Sequence, residues 1–249
     1  MNRVILLGAP RSGTNMLRDI LTAFNGIETW PCDEINYIWR HGNIFYPSDE
    51  IPASLATPEI KRYIHKQFDQ IAPENDNTIV LEKTCANCLR VPFVNEIFPT
   101  AKYIYIYRDG IDAAVSAEDR WTADLDIPYI LRKVRFVPKS DLVFYGLRYL
   151  KTRVYRLFSQ QNRLSFWGPK MHDMDCLLTT HSLIEVCLIQ WQRCVTAVEE
   201  AFKTIESDRI LRVRYEEFVS HPVQELEKIL EFLGYSSTEA GLQIGRAHV

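Results

Sequence analysis

The stretch Val4–Leu21, VILLGAPRSGTNMLRDIL, decides the fold. Arg3 to Leu7 is a short apolar run ending at Gly8, as expected of a strand buried on both faces. Met16, Leu17, Ile20, Leu21 and Phe24 then recur at helical spacing. Between them, Gly8-Ala-Pro-Arg-Ser-Gly13 has the glycine spacing of a phosphate-binding loop. A glycine-rich turn from strand to helix aims backbone N–H groups at one point, at the positive end of the helix dipole. Such a corner holds phosphate or sulfate whatever follows it.

Outward from this loop, strand and helix patterns alternate. Thr78–Leu81 and Lys102–Tyr107 read as strands, as does Ile210–Val213. Helices are expected at 89–98, from near Pro92 to before Pro99, and as a short segment from 110 to 117. Two more are expected over 181–204 and over 223–233, the last ending at Gly234. This alternation predicts an α/β fold, a three-layer arrangement with a central parallel sheet flanked by helices. Residues 35–75 and 121–170 read as insertions over the carboxyl ends of the strands, where open α/β sheets place their ligands.

With 249 residues, 47% hydrophobic and 24% charged, the composition is that of an ordinary globular protein. A net charge of −3 gives no global reason to expect nucleic acid or an anionic membrane as partner, so any anion site must be local. The first apolar run is too short to span a bilayer and does not read as a leader, which predicts a cytoplasmic protein. Six cysteines in a chain this long do not suggest a disulfide framework. Cys85-Ala-Asn-Cys88 is a lone CxxC without a second pair, and free thiols are expected rather than a metal site. Ile244-Gly-Arg-Ala-His-Val249 is what ATC GGA AGA GCA CAC GTC encodes, a common sequencing-library adapter. One domain over residues 1–243 is therefore expected, with a natural chain that continues past Gln243.

The loop lacks two residues that nucleotide chemistry requires. Thr14 stands where a P-loop kinase carries its phosphate-binding lysine, and Asn15 where it carries the Mg²⁺-ligating Ser or Thr. The strong cation inside the loop is Arg11. On the residues alone, a kinase, a nucleotide-binding protein without activity and a metal-independent transferase all stay open.

Pro10-Arg11-Ser12-Gly13-Thr14 resembles the 5′-phosphosulfate loop of the sulfotransferases that use 3′-phosphoadenosine 5′-phosphosulfate (PAPS). The arginine-loop branch, with tyrosylprotein and carbohydrate sulfotransferases and their bacterial relatives, is the most similar. The resemblance extends to YRDGIDAAVSAEDRW (107–121), where a strand-end arginine and a serine eight residues on match Arg108 and Ser116. It implies that these two grip the 3′-phosphate, with Arg120 and Tyr215 as further cofactor contacts. Guanidinium at a strand end offers phosphate a bidentate fork, which suits that role. It also implies that Arg11, Ser12, Gly13, Thr14 and Asn15 hold the 5′-phosphosulfate.

For the chemistry, the resemblance assigns Lys83, after a central strand, to the transferring sulfonate, although Cys85 stands where many relatives carry proline. Sulfonate transfer needs a base within hydrogen-bond reach of the acceptor hydroxyl. The arginine-loop branch uses a glutamate after the first helix, for which Glu34 is the best match, with Asp33 and Glu28 as competitors. Other relatives use histidine, which keeps His41 and His172 open; Lys170 or His172 could face an acceptor. The catalytic set so implied is Glu34, Lys83 and Arg11, with no metal. An acceptor hydroxyl, carbohydrate first, completes the expected reaction.

Overall fold

The computed structural model describes residues 2–71, 78–122, 137–142, 144, 146–147 and 166–235. The adapter-like tail 244–249 and most of the insertion at 121–170 lie outside the described residues. Five strands, β1 (Asn2–Leu7), β2 (Ile27–Glu28), β3 (Ile79–Lys83), β4 (Lys102–Tyr107) and β5 (Ile210–Arg214), form one sheet in the order β2-β3-β1-β4-β5. Every pairing is parallel, with Leu6 opposite Lys83 and Ile104 and Tyr107 opposite Arg214.

The strands read as unbroken apolar runs because both faces are covered, and alternate residues serve opposite faces. Val4, Leu6, Ile79, Leu81, Ile104, Ile106 and Val213 pack with α1 (Thr14–Leu21) and the C-terminal helix Pro222–Leu233. Ile5, Leu7, Val80, Tyr103 and Tyr105 point the other way. They meet α2 (Asn36–Trp39), α3 (Pro58–Asp69), α4 (Val91–Ile97), α5 (Gly110–Thr122), α6 (Met174–Thr180) and α7 (Leu183–Phe202). Two short helices close the described chain, α8 (Tyr215–Ser220) and α9 (Pro222–Leu233). The layers are thus helix, sheet, helix, as the alternation predicts.

Local sequence fixes several ends. Glu185 accepts from the Ser182 N–H at 2.7 Å and caps α7, and Gly234 closes α9 at φ 70°. The structure also corrects boundaries. The strand expected at 78–81 runs to Lys83, so this lysine is the last strand residue. The helix expected to stop at 117 continues to Thr122. Residues 35–71 add to the core on the α2–α7 face of the sheet: Trp39 and Phe68 are fully buried and meet edge to face, with Phe98 against both.

After β1 the chain crosses to one face of the sheet through α1, whereas after β4 it crosses to the other through α5. This divergence opens a crevice at the carboxyl ends of β1 and β4, the usual ligand position in open α/β sheets. The ends of β3 and β5 border the same crevice.

Candidate active site

The first corner is the turn after β1. A Cβ at Gly8 would stand 2.6 Å from Thr14 Cγ2 and 2.7 Å from the Ile106 carbonyl oxygen, so only glycine lets the turn pass this close to β4. The turn needs left-handed backbone at Arg11 (φ 69°) and Gly13 (φ 89°). Glycine takes this freely, but arginine is strained there. Gly13 also has Tyr215 against it, 2.6 Å from where a Cβ would be. Ser12 is fully buried, and its Oγ has no hydrogen-bond partner. A buried hydroxyl without a partner is uncommon and marks this turn for attention.

The second corner, after β4, closes on the first. Arg108 Nη1 donates to the Arg11 carbonyl oxygen at 3.3 Å, and Arg11 Nε donates to Ser116 Oγ on α5 at 2.9 Å. The Arg108 guanidinium lies 4.6 Å from the centre of the Tyr215 ring, and its Nε is buried without a partner. Asp112, one turn into α5, sits 3.8 Å from Arg108. Arg120 is near enough to act on Arg11. Burial, then the Arg120 and Arg108 charges, pull the Arg11 guanidinium below its ordinary proton affinity. Three cations crowded together favour an anion among them. Glu216 pins this corner by accepting from the Asp109 N–H at 3.0 Å.

The third group lies at the end of β3. Lys83 Nζ donates to Glu34 Oε1 at 3.2 Å, and the Cys85 N–H donates to the same oxygen at 3.2 Å. Lys83 is almost wholly buried and Glu34 about a quarter exposed, so the pair opens to solvent from the glutamate side. Burial, the largest influence, lowers the Lys83 ammonium, but Glu34, Cys85 and Asp33 together outweigh it and the net shift is upward. Lys83 is held as a cation. Thr14 Oγ1 approaches Cys85 Sγ at 3.7 Å, which joins this group to the first turn of α1.

The structure therefore gathers Arg11, Ser12, Gly13, Thr14, Arg108, Ser116, Arg120 and Tyr215 around one crevice, with Lys83 and Glu34 joined through Cys85 and Thr14. Asn15, on the first turn of α1, is exposed. The competing residues take other positions. Asp33 accepts from Arg18 at 3.1 Å, and Glu28 is exposed at the end of the edge strand β2. His41 is bonded to Asp141 at 2.9 Å and packs on Tyr63; His172 is bonded to Glu50 at 2.8 Å. Lys170 pairs through its backbone with Asp49. Sequence reasoning passes over Glu82 and Thr84, which flank Lys83 and are both fully buried. Their signal was an acid inside a strand buried on both faces.

The six cysteines form no disulfide with one another, and Cys85 and Cys88 are buried. Among the described residues no group of three or more His, Cys, Asp or Glu could hold a metal ion, and no helix is long and apolar enough to cross a membrane.

Residues 1–249 match the family described as the sulfotransferase domain, and the chain belongs to that family. Its class of chemistry is sulfonate transfer. The sulfotransferase domain from the curacin biosynthetic pathway is 15% identical with a TM-score of 0.56, over 98% of this chain and 77% of that one. Sulfotransferase STF1 from Mycobacterium tuberculosis is 12% identical with a TM-score of 0.55, over 100% and 71%. Mouse sulfotransferase SULT7A1 complexed with PAP is 17% identical with a TM-score of 0.50, over 100% and 63%. At these identities the likeness carries the fold. A comparison with curated protein sequences found no match.

Proposed function

We propose that the chain transfers the sulfonate of PAPS to an acceptor hydroxyl by metal-independent in-line displacement. The observation that carries this reading is the pair of bonds meeting at Arg11, to Arg108 through its carbonyl oxygen and to Ser116 through its guanidinium. A nucleotide with anionic groups at both ends of one sugar answers both corners together. The residues fit it: the Arg120 and Arg108 charges both act on Arg11, and Ser12 Oγ and Arg108 Nε are buried without a partner. Support also comes from the mouse relative, which is complexed with PAP.

In this reading the amides of the 8–15 turn and Arg11 hold the 5′-phosphosulfate. Arg108, Ser116 and Arg120 hold the 3′-phosphate, with Tyr215 stacked behind Arg108. PAPS supplies an electrophilic sulfur and a phosphate leaving group. The chain supplies position and charge, the main terms in transfers of this kind. Lys83 neutralises charge as it builds on the bridging oxygen. Glu34 receives the acceptor proton at its carboxylate, with Lys83 and the Cys85 amide fixing its Oε1. Thr14 and Asn15 offer neither the lysine nor the Mg²⁺ ligand of a kinase loop, which supports transfer without a metal; a sulfonate carries less negative charge than a terminal phosphate.

Carbohydrate is the acceptor class to test first. Of the insertion aromatics, Trp39 and Phe68 belong to the core, whereas Phe45 is 82% exposed and available to a sugar face. Acceptor screening with ³⁵S-labelled PAPS, with and without EDTA, tests the proposal. Label moves to a hydroxyl compound, and EDTA changes nothing. Mg²⁺-dependent ATP turnover would instead make the chain a kinase, and tight binding of adenosine 3′,5′-bisphosphate (PAP) without transfer would make it a binding protein.

A further inference from the structure

Glu34 must be held in register by something, since it lies on a loop and loops are the mobile part of such folds. The two residues after it are both fastened. The Ile35 N–H donates to Thr84 Oγ1 at 3.2 Å, and Arg90 Nη2 donates to Asn36 Oδ1 at 2.5 Å. Both fastenings lead back to one buried carboxylate. Thr84 Oγ1 donates to Glu82 Oε1 at 2.5 Å. On the other side Arg90 Nε donates to Asn87 Oδ1 at 2.8 Å, and Asn87 Nδ2 donates to Glu82 Oε2 at 2.8 Å. A closed ring results: Glu82, Thr84, Ile35, Asn36, Arg90, Asn87 and back to Glu82. Asp49 braces it from outside by accepting from Asn36 Nδ2 at 3.2 Å and Arg90 Nη1 at 3.4 Å.

We propose that Thr84 and Glu82 are positioning residues for Glu34: they lock the backbone that follows it, so that its carboxylate stays on Lys83 and the Cys85 amide. This rests on the reading of Glu34 as the base. The argument is one of direction and burial. Glu82, Thr84, Asn87 and Arg90 are at most 1% exposed, so water cannot substitute for a lost partner. Every hydrogen in the ring has one assigned direction. Thr84 has one hydrogen, which Glu82 takes, so its oxygen faces the Ile35 N–H as an acceptor. Arg90 can donate to Asn87 only while the Asn87 amide faces a pure acceptor. In its ionised form Glu82 is the one member that only accepts, and in that form it sets the sense of both arms. It also precedes Lys83 directly, so the strand end that presents the lysine holds the loop that presents the glutamate.

Thr84→Val keeps the shape and removes the acceptor for Ile35; Thr84→Ser restores it. Hydrogen exchange on the full chain is expected to show the Ile35 amide opening at least about tenfold faster in Thr84→Val and native-like in Thr84→Ser. PAP affinity by calorimetry stays within about twofold of native, because the nucleotide corners are untouched. With PAPS and the acceptor that the labelled screen returns, kcat falls about tenfold or more while KM for PAPS holds. In a Glu34→Gln background, Thr84→Val costs nothing further, since it acts only through that residue. Glu82→Leu gives a second variant and the same direction, because Thr84 and Asn87 both lose their acceptor and the ring opens at its anchor. An unchanged Ile35 exchange rate, or an equal loss of kcat with Glu34 already replaced, overturns the proposal. Native turnover in Glu34→Gln alone overturns the base reading, and the positioning role falls with it; a Glu34→Gln loss beside a fully active Thr84→Val overturns only the positioning role.

Discussion

Arg108 donates from its guanidinium to the backbone carbonyl of Arg11, across 3.3 Å and from the end of a neighbouring strand. The turn after β1 is therefore shaped by a side chain from β4. Whatever occupies one corner acts on the other through a single bond. The two strand-end corners are thus in direct contact.

Arg108→Ala is expected to weaken PAP binding by about 1–3 kcal/mol, the scale of a lost charge-assisted bond. Arg108→Lys keeps the charge but loses the planar stack on Tyr215, so it recovers only part of the affinity. Calorimetry with PAP measures both. Native affinity in Arg108→Ala removes this residue from the site.

Arg11→Gly separates stability from binding. Glycine relieves the left-handed strain at this position, about 1 kcal/mol, and gives back a similar amount in unfolded-chain entropy. The thermal midpoint should hardly move, whereas PAP affinity should drop about tenfold or more as the guanidinium is lost. A large fall in the midpoint would show that Arg11 holds the fold rather than the ligand.

Glu34→Gln should leave PAP affinity unaltered and lower turnover on the order of a hundredfold, the typical share of a general base. Equal turnover in wild type and variant would hand the proton to another group. His41 would be the next residue to replace, since Asp141 already orients its ring.

The pH dependence of stability should carry the mark of Glu82. Burial pushes its carboxyl up to about 7, against the hydrogen bond from Thr84 and the charge of Arg90. A raised carboxyl favours the folded state at acid pH. Its contribution is complete below about 4.5, the ordinary value, and is lost as pH rises through about 7. The amount is about 3 kcal/mol on the scale of 1.36 kcal/mol per pH unit. Urea unfolding at several pH values should show this fall in the native chain between those limits and its absence in Glu82→Gln. Parallel curves would mean that Glu82 stays ionised throughout.

Much of this site was legible because its parts are local. The loop at 8–13, the arginine ending β4 and the serine two helical turns on each sit at a strand-to-helix junction that periodicity finds. Lys83 was legible by resemblance, but its place as the last residue of β3 was not, since the expected strand stopped at Leu81. The ring around Glu82 was hidden for a physical reason. Its members come from positions 35 to 90, and their pairing depends on how α2 and the 3₁₀ turn at Cys85–Arg90 settle on the sheet. The helix Pro58–Asp69 was also missed within an aromatic-rich stretch, although Thr57 caps it, its side chain accepting from the Ile60 N–H, with Pro58 at its first position. The shared crevice itself could be read from topology alone, since α1 and α5 depart to opposite faces.

The contact between Gly13 and the Tyr215 ring has a temporal meaning. The anion-binding turn leaves the ribosome long before its packing partner, which directly follows β5. During synthesis the turn must wait, with Gly13 unpacked, until the chain has emerged through Tyr215. Nascent chains halted before Tyr215 would have most of the sheet and no finished nucleotide grip, and long-range closures of this type are slow to form.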